Sequence, residues 1–474
     1  MERISRILSA GLLAVFMLLF GLALLLGGAQ PEHLSYCAAF ALAVVGAGAY
    51  ALWQQRFRPS RTLWERLGSG KSALLLLCFC FLVNLGWVLY FRLEPVRDSR
   101  ILWDTAVQLA AKEPLSNQSY LALFPHFLGF PAFLSLFLRI FGTGPLVVPV
   151  LNVCLTTLSG LFLYRMMLRW RGPNSAVLVL AIWSLFPSRI FYNAMVLSEP
   201  YYTCLLLAVL WLTAEVEARR PRLLPAMLLG LLAGLLLRLS DSAWPVGAVP
   251  ILALLLWLLL LRGERGKAAR PGWLGYTALL LVAYLLTGPL WNAWAEDRLG
   301  EPPASVPGFS LYVGLNAETL GCYSNEDMAL LQSLYEEADG NAGQAQREML
   351  RLAGERLRSG LPFGRLFLSK LRNFLGFDEG GAFNSRARLR DRAYQILAMI
   401  SNIWYYALGI LTLWGSWRLL RSGNRKTVLL APLYIVGLTL AQFFGEVAVR
   451  HHYAVIPMLI LLAAYSYTRP VKSA

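Results

Sequence analysis

The sequence predicts an all-α polytopic membrane protein, and three observations carry that reading. The 474 residues are 57% hydrophobic and only 15% charged, against about half and a quarter in soluble domains. Apolar runs of roughly 17–25 residues recur along the chain, the length a helix needs to cross about 30 Å of hydrocarbon. The excess of 43 Lys and Arg over 27 Asp and Glu gathers in short loops between those runs, as the positive-inside rule expects. That placement argues against nucleic acid as a partner, and the chain carries no nucleic-acid module.

The spans read, in order, as 8–28, 34–53, 72–91, 145–168, 174–193, 198–214, 222–238, 243–261, 273–293, 396–417, 427–446 and 453–468, about 12 transmembrane helices. The first has a basic start and an apolar stretch long for a signal peptide, so it is expected to be retained. Arg3 and Arg6 precede it. Arg56, Arg58, Arg61, Arg66 and Lys71 follow the second span; Arg165, Arg169 and Arg171 mark the end of the fourth; Arg219, Arg220 and Arg222 lie after the sixth. Arg262, Arg265, Lys267 and Arg270 follow the eighth, Arg418, Arg421, Arg425 and Lys426 the tenth, and Arg469 and Lys472 the last. This alternation puts both termini in the cytoplasm. It also requires the short apolar segment 127–141, with Pro131 and Arg139 inside it, to lie at the outer interface rather than to cross.

Four regions result: a hairpin and cytoplasmic loop over 1–71, a membrane core over 72–293 with a first outer loop at 92–145, an outer loop region over 294–395, and C-terminal spans over 396–474. In the third region the Gly- and Pro-rich start is expected to be irregular. Residues 325–358 read as a helix with Asn325 as its N-cap. Residues 361–377 mix aromatics with Arg365, Lys370 and Arg372, the pattern of a helix lying on a membrane surface.

Of six cysteines, Cys37, Cys78, Cys80, Cys154 and Cys204 sit inside apolar runs and Cys322 stands alone in the large loop, so no disulfide framework or zinc site is expected. The chain lacks GxxxxGK[ST], a GxGxxG after a strand, and GxSxG, which disfavours nucleotide hydrolysis and serine hydrolase chemistry. The charged groups at the outer membrane ends are Asp98, Asp104, Glu199, Arg238, Asp241, Glu446, Arg450, His451 and His452. Ionisable groups at that depth point to function. Asp98 precedes a helical run over 99–112; it is either that helix's N-cap or a general base facing the membrane surface. Asp104, six residues on, points away from it and is at most a support. Glu199 opens a span in the sequence Ser198-Glu199-Pro200, either completing that turn or serving the site. Arg238 and Asp241 are expected to pair. Arg450 and His451 suit a phosphate, Arg by its fork geometry, or else simply sit at the interface. His452 is only a weak metal-ligand candidate.

Together these features form a pattern: an acid in the first outer loop, an interfacial helix ending in IFG, the SEP junction at 198–200, and Glu446 followed by RHHY at 450–453. Over about 90–467 the chain resembles the GT-C glycosyltransferases that use polyprenyl-phosphate sugars, the superfamily of protein O-mannosyltransferases and the lipid A aminoarabinose transferase. The resemblance implies a GT-C-like helical bundle with outer-face juxtamembrane helices and one large outer loop. It implies an active site on the extracytoplasmic face of a bacterial plasma membrane, a polyprenyl-phosphate sugar donor in the membrane lipid, and a glycan, lipid or protein acceptor of the cell envelope. Asp98 then matches the acid that activates the acceptor, Glu199 the second-loop acid, and Arg450 a group at the donor phosphate, with Asp104, Arg238, Lys370 and His451 as further substrate-binding residues. Some relatives use a divalent metal at this place. The chain departs from the pattern in its first hairpin, and in Ser99 where the mannosyltransferases carry a second acid. The competing reading, a transporter or flippase of lipid-linked saccharides, requires polar groups along a path through the membrane.

Overall fold

The computed structural model describes residues 2–29, 34–56, 69–262, 270–423 and 427–467, which are helices and connecting loops with no strand among them. The expected basic residues Arg58, Arg61, Arg66, Arg265, Lys267, Arg425, Lys426, Arg469 and Lys472 lie outside the described residues. Among the described residues, nine helices are long and apolar enough to cross a membrane. They fall on nine of the expected spans. The remaining three, expected at 174–193, 243–261 and 453–468, are shorter. Pro173–Leu185 stops at Phe186, because Pro187 restarts the chain as the separate helix Pro187–Tyr192 and the residue before a proline is pushed out of the helical region. Ala248–Leu256 passes into a wide turn at Trp257–Leu261. Ile456–Ala463 is buried on every side, so its uniform hydrophobicity reflects the protein core rather than lipid.

The segment expected at the interface is the helix Gly129–Phe141, 13 residues long. At 1.5 Å per residue it reaches about 20 Å, too short for a bilayer. It buries Phe130, Leu134 and Leu138, one helical face, and leaves Leu136, Ile140 and Phe141 exposed. Arg139 Nη2 donates to Leu109 O at 2.7 Å and ties this helix to Asp98–Ala111.

The N-terminal hairpin, Glu2–Gly28 and Leu34–Arg56, packs on the long helix Asp391–Ser422 and on Phe363–Leu375. Gly27 meets Gly376 so closely that a Cβ would stand 1.8 Å from Gly376 O. Tyr36 donates to the Glu379 carboxylate.

Residues 294–395, expected outside the membrane, share a small core of their own with the loop at 92–145. Arg270–Leu299 is 30 residues long, more than the roughly 20 a bilayer takes up. Its end, with Ala295 and Leu299, packs against Phe309, Val313, Leu331 and Met349 and against Leu121 and Leu123 of the first outer loop. Gln346 clips the two outer segments together, accepting from Phe309 N at 2.8 Å and donating to Leu123 O at 3.1 Å. The single helix expected at 325–358 is two, Asn325–Glu337 and Ala342–Arg358. The break falls at Asp339 and Gly340, both at positive φ. Asn325 is not the cap; Ser324 is, its hydroxyl accepting from Asp327 N at 3.2 Å, and Asn341 caps the second helix from Gln344 N at 2.8 Å.

Charge sorts to two ends of the bundle. At one end Glu215 holds Arg169 at 2.9 Å and Arg219 at 2.6 Å, while Arg171 and Arg418 donate to the last carbonyls, Tyr467 O at 2.7 Å and Ser466 O at 2.9 Å. At the other end the acids collect. There Lys370 joins the outer region to the bundle, its amine donating to Gly314 O at 2.7 Å, Phe443 O at 2.8 Å and Gly445 O at 2.7 Å. Lys370→Met leaves three carbonyls without a donor and is expected to destabilise the fold by about 3 kcal/mol, measured as a fall in melting temperature of the detergent-solubilised protein.

Candidate active site

Asp98 opens the helix Asp98–Ala111, and the position before it, Arg97, has φ 51° with no side-chain cap. A non-glycine residue at positive φ is costly, about 1–3 kcal/mol, and such strain concentrates at functional sites. Asp98 is therefore a first-turn residue and not the N-cap. Its Oδ2 lies 2.8 Å from Nη2 of Arg450. Both side chains remain about a third exposed, 34% for Asp98 and 33% for Arg450, so a ligand can reach the pair.

Arg450 sits in the short turn Val449–His452, just before the last helix. Desolvation works against its charge, but the carboxylates of Asp98, Glu199 and Glu446 outweigh it and raise its pKa. Glu199 is the first residue of Glu199–Arg219 with Pro200 behind it, the position where Pro is preorganised. It is 6% exposed, and its Oε2 is buried without a hydrogen-bond partner. Glu446 follows Leu430–Phe444 and stands near Arg450, Asp98 and Lys370; burial raises its pKa, against the pull of Arg450.

The walls are aromatic. Tyr120 packs on Phe124 at 4.9 Å and on Phe127 at 5.4 Å, and His126 lies against Phe127 at 4.8 Å. His451 Nδ1 lies 2.8 Å from Gln442 Oε1. Its pKa is lowered to about 3 by burial and then by Arg450. That of His126 is lowered to about 4 for the same two reasons. Neither histidine adds charge near neutral pH, so the acids outnumber the guanidinium. Tyr323, 50% exposed, lies at the mouth, its phenol held protonated by burial and by Glu446 and Asp98. The turn before it passes through Leu320 at φ 55° and Gly321 at φ 78°, and Val447 N donates to Gly321 O at 2.9 Å.

The other sequence-derived candidates stand elsewhere. Asp104 pairs with Arg100 at 2.8 Å on the outer side of its helix. Arg238 pairs with Asp241 at 3.0 Å, donates to Tyr284 O, and lies 3.9 Å over the Tyr284 ring. Lys370 has all three donors on carbonyls, the arrangement of an ammonium, although burial pulls its pKa down to about 7. His452 is in the core, as described below. His126 and Tyr120 are site residues the sequence reading did not select, and Glu446 was singled out there without a role. Only Glu446 left a signal, four residues before Arg450 in the same outer turn. Among the described residues no three His, Cys, Asp or Glu side chains group closely enough to hold a metal ion.

Fold and site thus define a polytopic membrane protein with an acidic, arginine-centred cluster at one end of its helices. No family model matches the chain. It is 31% identical over 188 residues to the undecaprenyl phosphate-alpha-4-amino-4-deoxy-L-arabinose arabinosyl transferase of Pseudomonas aeruginosa strain UCBPP-PA14, covering 37% of this chain and 33% of that protein. The same transferase of strain LESB58 matches with the same identity and coverage. The match spans about a third of the length of these curated relatives. Among solved structures, ArnT from Cupriavidus metallidurans bound to undecaprenyl phosphate aligns over 83% of this chain and 77% of that one, at 12% identity and a TM-score of 0.30, a superposition too loose to pair residues.

Because the folded pKa values of His126 and His451, about 4 and about 3, lie below the ordinary 6.5, the unfolded chain binds more protons between those limits. Their contribution to stability is complete above about pH 6.5 and is lost as pH falls below it. The melting temperature is expected to drop from pH 7 to pH 5, and to drop less in His126→Asn/His451→Asn; an equal drop in both proteins would contradict this.

Proposed function

We propose that the chain is a membrane glycosyltransferase that moves a sugar from a polyprenyl-phosphate donor to a cell-envelope acceptor, by inverting displacement on the extracytoplasmic face. The observation that carries this is the 2.8 Å pair of Asp98 and Arg450 beside the buried carboxylate of Glu199. A proton acceptor and a phosphate ligand stand together at the membrane end of the bundle. A polyprenyl phosphate keeps its tail in lipid and its phosphate at that depth. The names of the relatives carry the same donor class.

In the reaction the Asp98 carboxylate takes the proton of the acceptor hydroxyl as its oxygen bonds to the anomeric carbon. The bond from that carbon to the phosphate oxygen breaks with inversion, and the polyprenyl phosphate leaves with the electron pair. Arg450 offers a planar fork to the phosphate and stabilises the charge that grows there. As it turns to the phosphate, it releases Asp98 Oδ2 for the proton. The unpartnered Oε2 of Glu199 supports a polar group of the sugar being bound beside them. A flippase draws no such support, since these acids gather at one end rather than along a path.

Asp98→Asn keeps the shape and the contact with Arg450 but removes the base. It is expected to lower transfer from a synthetic polyprenyl-phosphate sugar by about 100- to 10,000-fold at unchanged melting temperature. Arg450→Lys raises the donor KM and Arg450→Ala raises it further, because a point charge lacks the fork; an unchanged donor dependence in Arg450→Ala would remove the phosphate from this site.

The sidedness rests on the basic loops, with both termini cytoplasmic. In intact cells a membrane-impermeant thiol reagent should label Glu326→Cys, an exposed position of the outer region, and spare Gly263→Cys. The reverse pattern would turn the topology over.

A further inference from the structure

We propose that Asp378 and His452 form a positioning pair that sets the register of the turn carrying Arg450, and through it the affinity for the donor phosphate. This rests on the glycosyltransferase reading above. The two side chains are almost wholly buried, His452 at 4% and Asp378 at 1%, so neither can touch a substrate. His452 Nδ1 lies 2.8 Å from Phe374 O, a carbonyl that can only accept. Nδ1 therefore carries a proton. Nε2 lies 3.2 Å from Asp378 Oδ1, so the ring bridges a backbone carbonyl and a buried carboxyl group.

Each partner is anchored in turn. Asp378 N donates to Asn402 Oδ1 at 2.9 Å, and Asn402 Nδ2 to Ala398 O at 3.1 Å. The His452 ring stacks on Tyr405 at 5.5 Å, whose hydroxyl donates to Leu375 O at 2.7 Å. His452 is thereby bolted to Phe363–Leu375, to the loop after it, and to Asp391–Ser422. Arg450 is two residues away in the same short turn, and the helix that follows the Asp378 loop, Gly380–Asn384, reaches it: a Cβ on Gly380 would stand 3.7 Å from Arg450 N. A four-residue 3₁₀ turn has little order of its own, so its register comes from outside. Buried polar contacts of this kind are best attested as devices that fix register.

The test is donor-dependent transfer by the purified full-length protein with a synthetic polyprenyl-phosphate sugar. Asp378→Ala is expected to raise the donor KM about tenfold with kcat held within about threefold. Asp378→Asn can donate to the Nε2 of a neutral His452, and is expected to keep the donor KM within about threefold of the parent. On an Arg450→Ala background Asp378→Ala should add nothing, because it acts through Arg450. An unchanged donor KM in folded Asp378→Ala, or a full additive loss on top of Arg450→Ala, overturns the proposal. If Asp378→Ala does not fold, His452→Phe is read the same way, since it keeps the stack on Tyr405 and removes both hydrogen bonds. Failure of both to fold would assign the pair to stability alone and also overturn it. A donor KM unchanged in Arg450→Ala itself would instead fail the glycosyltransferase reading, and the proposal with it.

Discussion

Three carboxylates converge on one guanidinium at the end of this bundle, and much of the outer architecture follows from keeping them there. Asp98, Glu199 and Glu446 all act on Arg450. Like charges repel, and the cation offsets that repulsion among the three acids. They come from three distant parts of the chain. The Arg450 turn is therefore the place where the first outer loop, the Glu199 junction and the last spans are held to one geometry.

Around that centre, cations spend their donors on backbone. Lys370 closes on three carbonyls of two separate segments. Arg189, 1% exposed, donates to Trp183 O, Ser184 O and Asn84 Oδ1 just beneath the site. Loops at the membrane end carry carbonyls that neither lipid nor a regular helix satisfies. Long basic side chains reach them, and in doing so cease to be available to a ligand. That division explains why a basic residue near the site need not belong to it.

The site also has a charge balance that suits a reacting phosphate. With His126 and His451 neutral near pH 7, the proposed reaction has the entering phosphate compete with Asp98 for Arg450. On that proposal the base is free when the donor is in place, which would couple acceptor activation to donor binding. Tyr120, Phe124 and Phe127 pack together beside the pair, and Tyr323 is half exposed.

Much of this was legible in the sequence because the bilayer imposes long-period rules. Apolar run length and the alternation of basic loops determined the helical class, the nine long spans, the shortness of the apolar helix Gly129–Phe141, and the gathering of Asp98, Glu199 and Arg450 at one end. Local rules failed where tertiary contacts overrode them. Ile456–Ala463 reads as a lipid-facing span because burial in protein and burial in lipid select the same side chains. The break at Asp339-Gly340 is made by two residues in a left-handed turn inside a helical pattern. The pairing of Arg238 with Asp241 was expected from the sequence, and Asp104 with Arg100 is likewise a contact within one helix; the partners of Lys370, three carbonyls, and of His452, Asp378, were decided only by the fold. Sequence specifies which residue types occur at which depth, since depth is one-dimensional along a spanning helix. Pairing depends on distances between helices far apart in the chain, and those are set by packing alone.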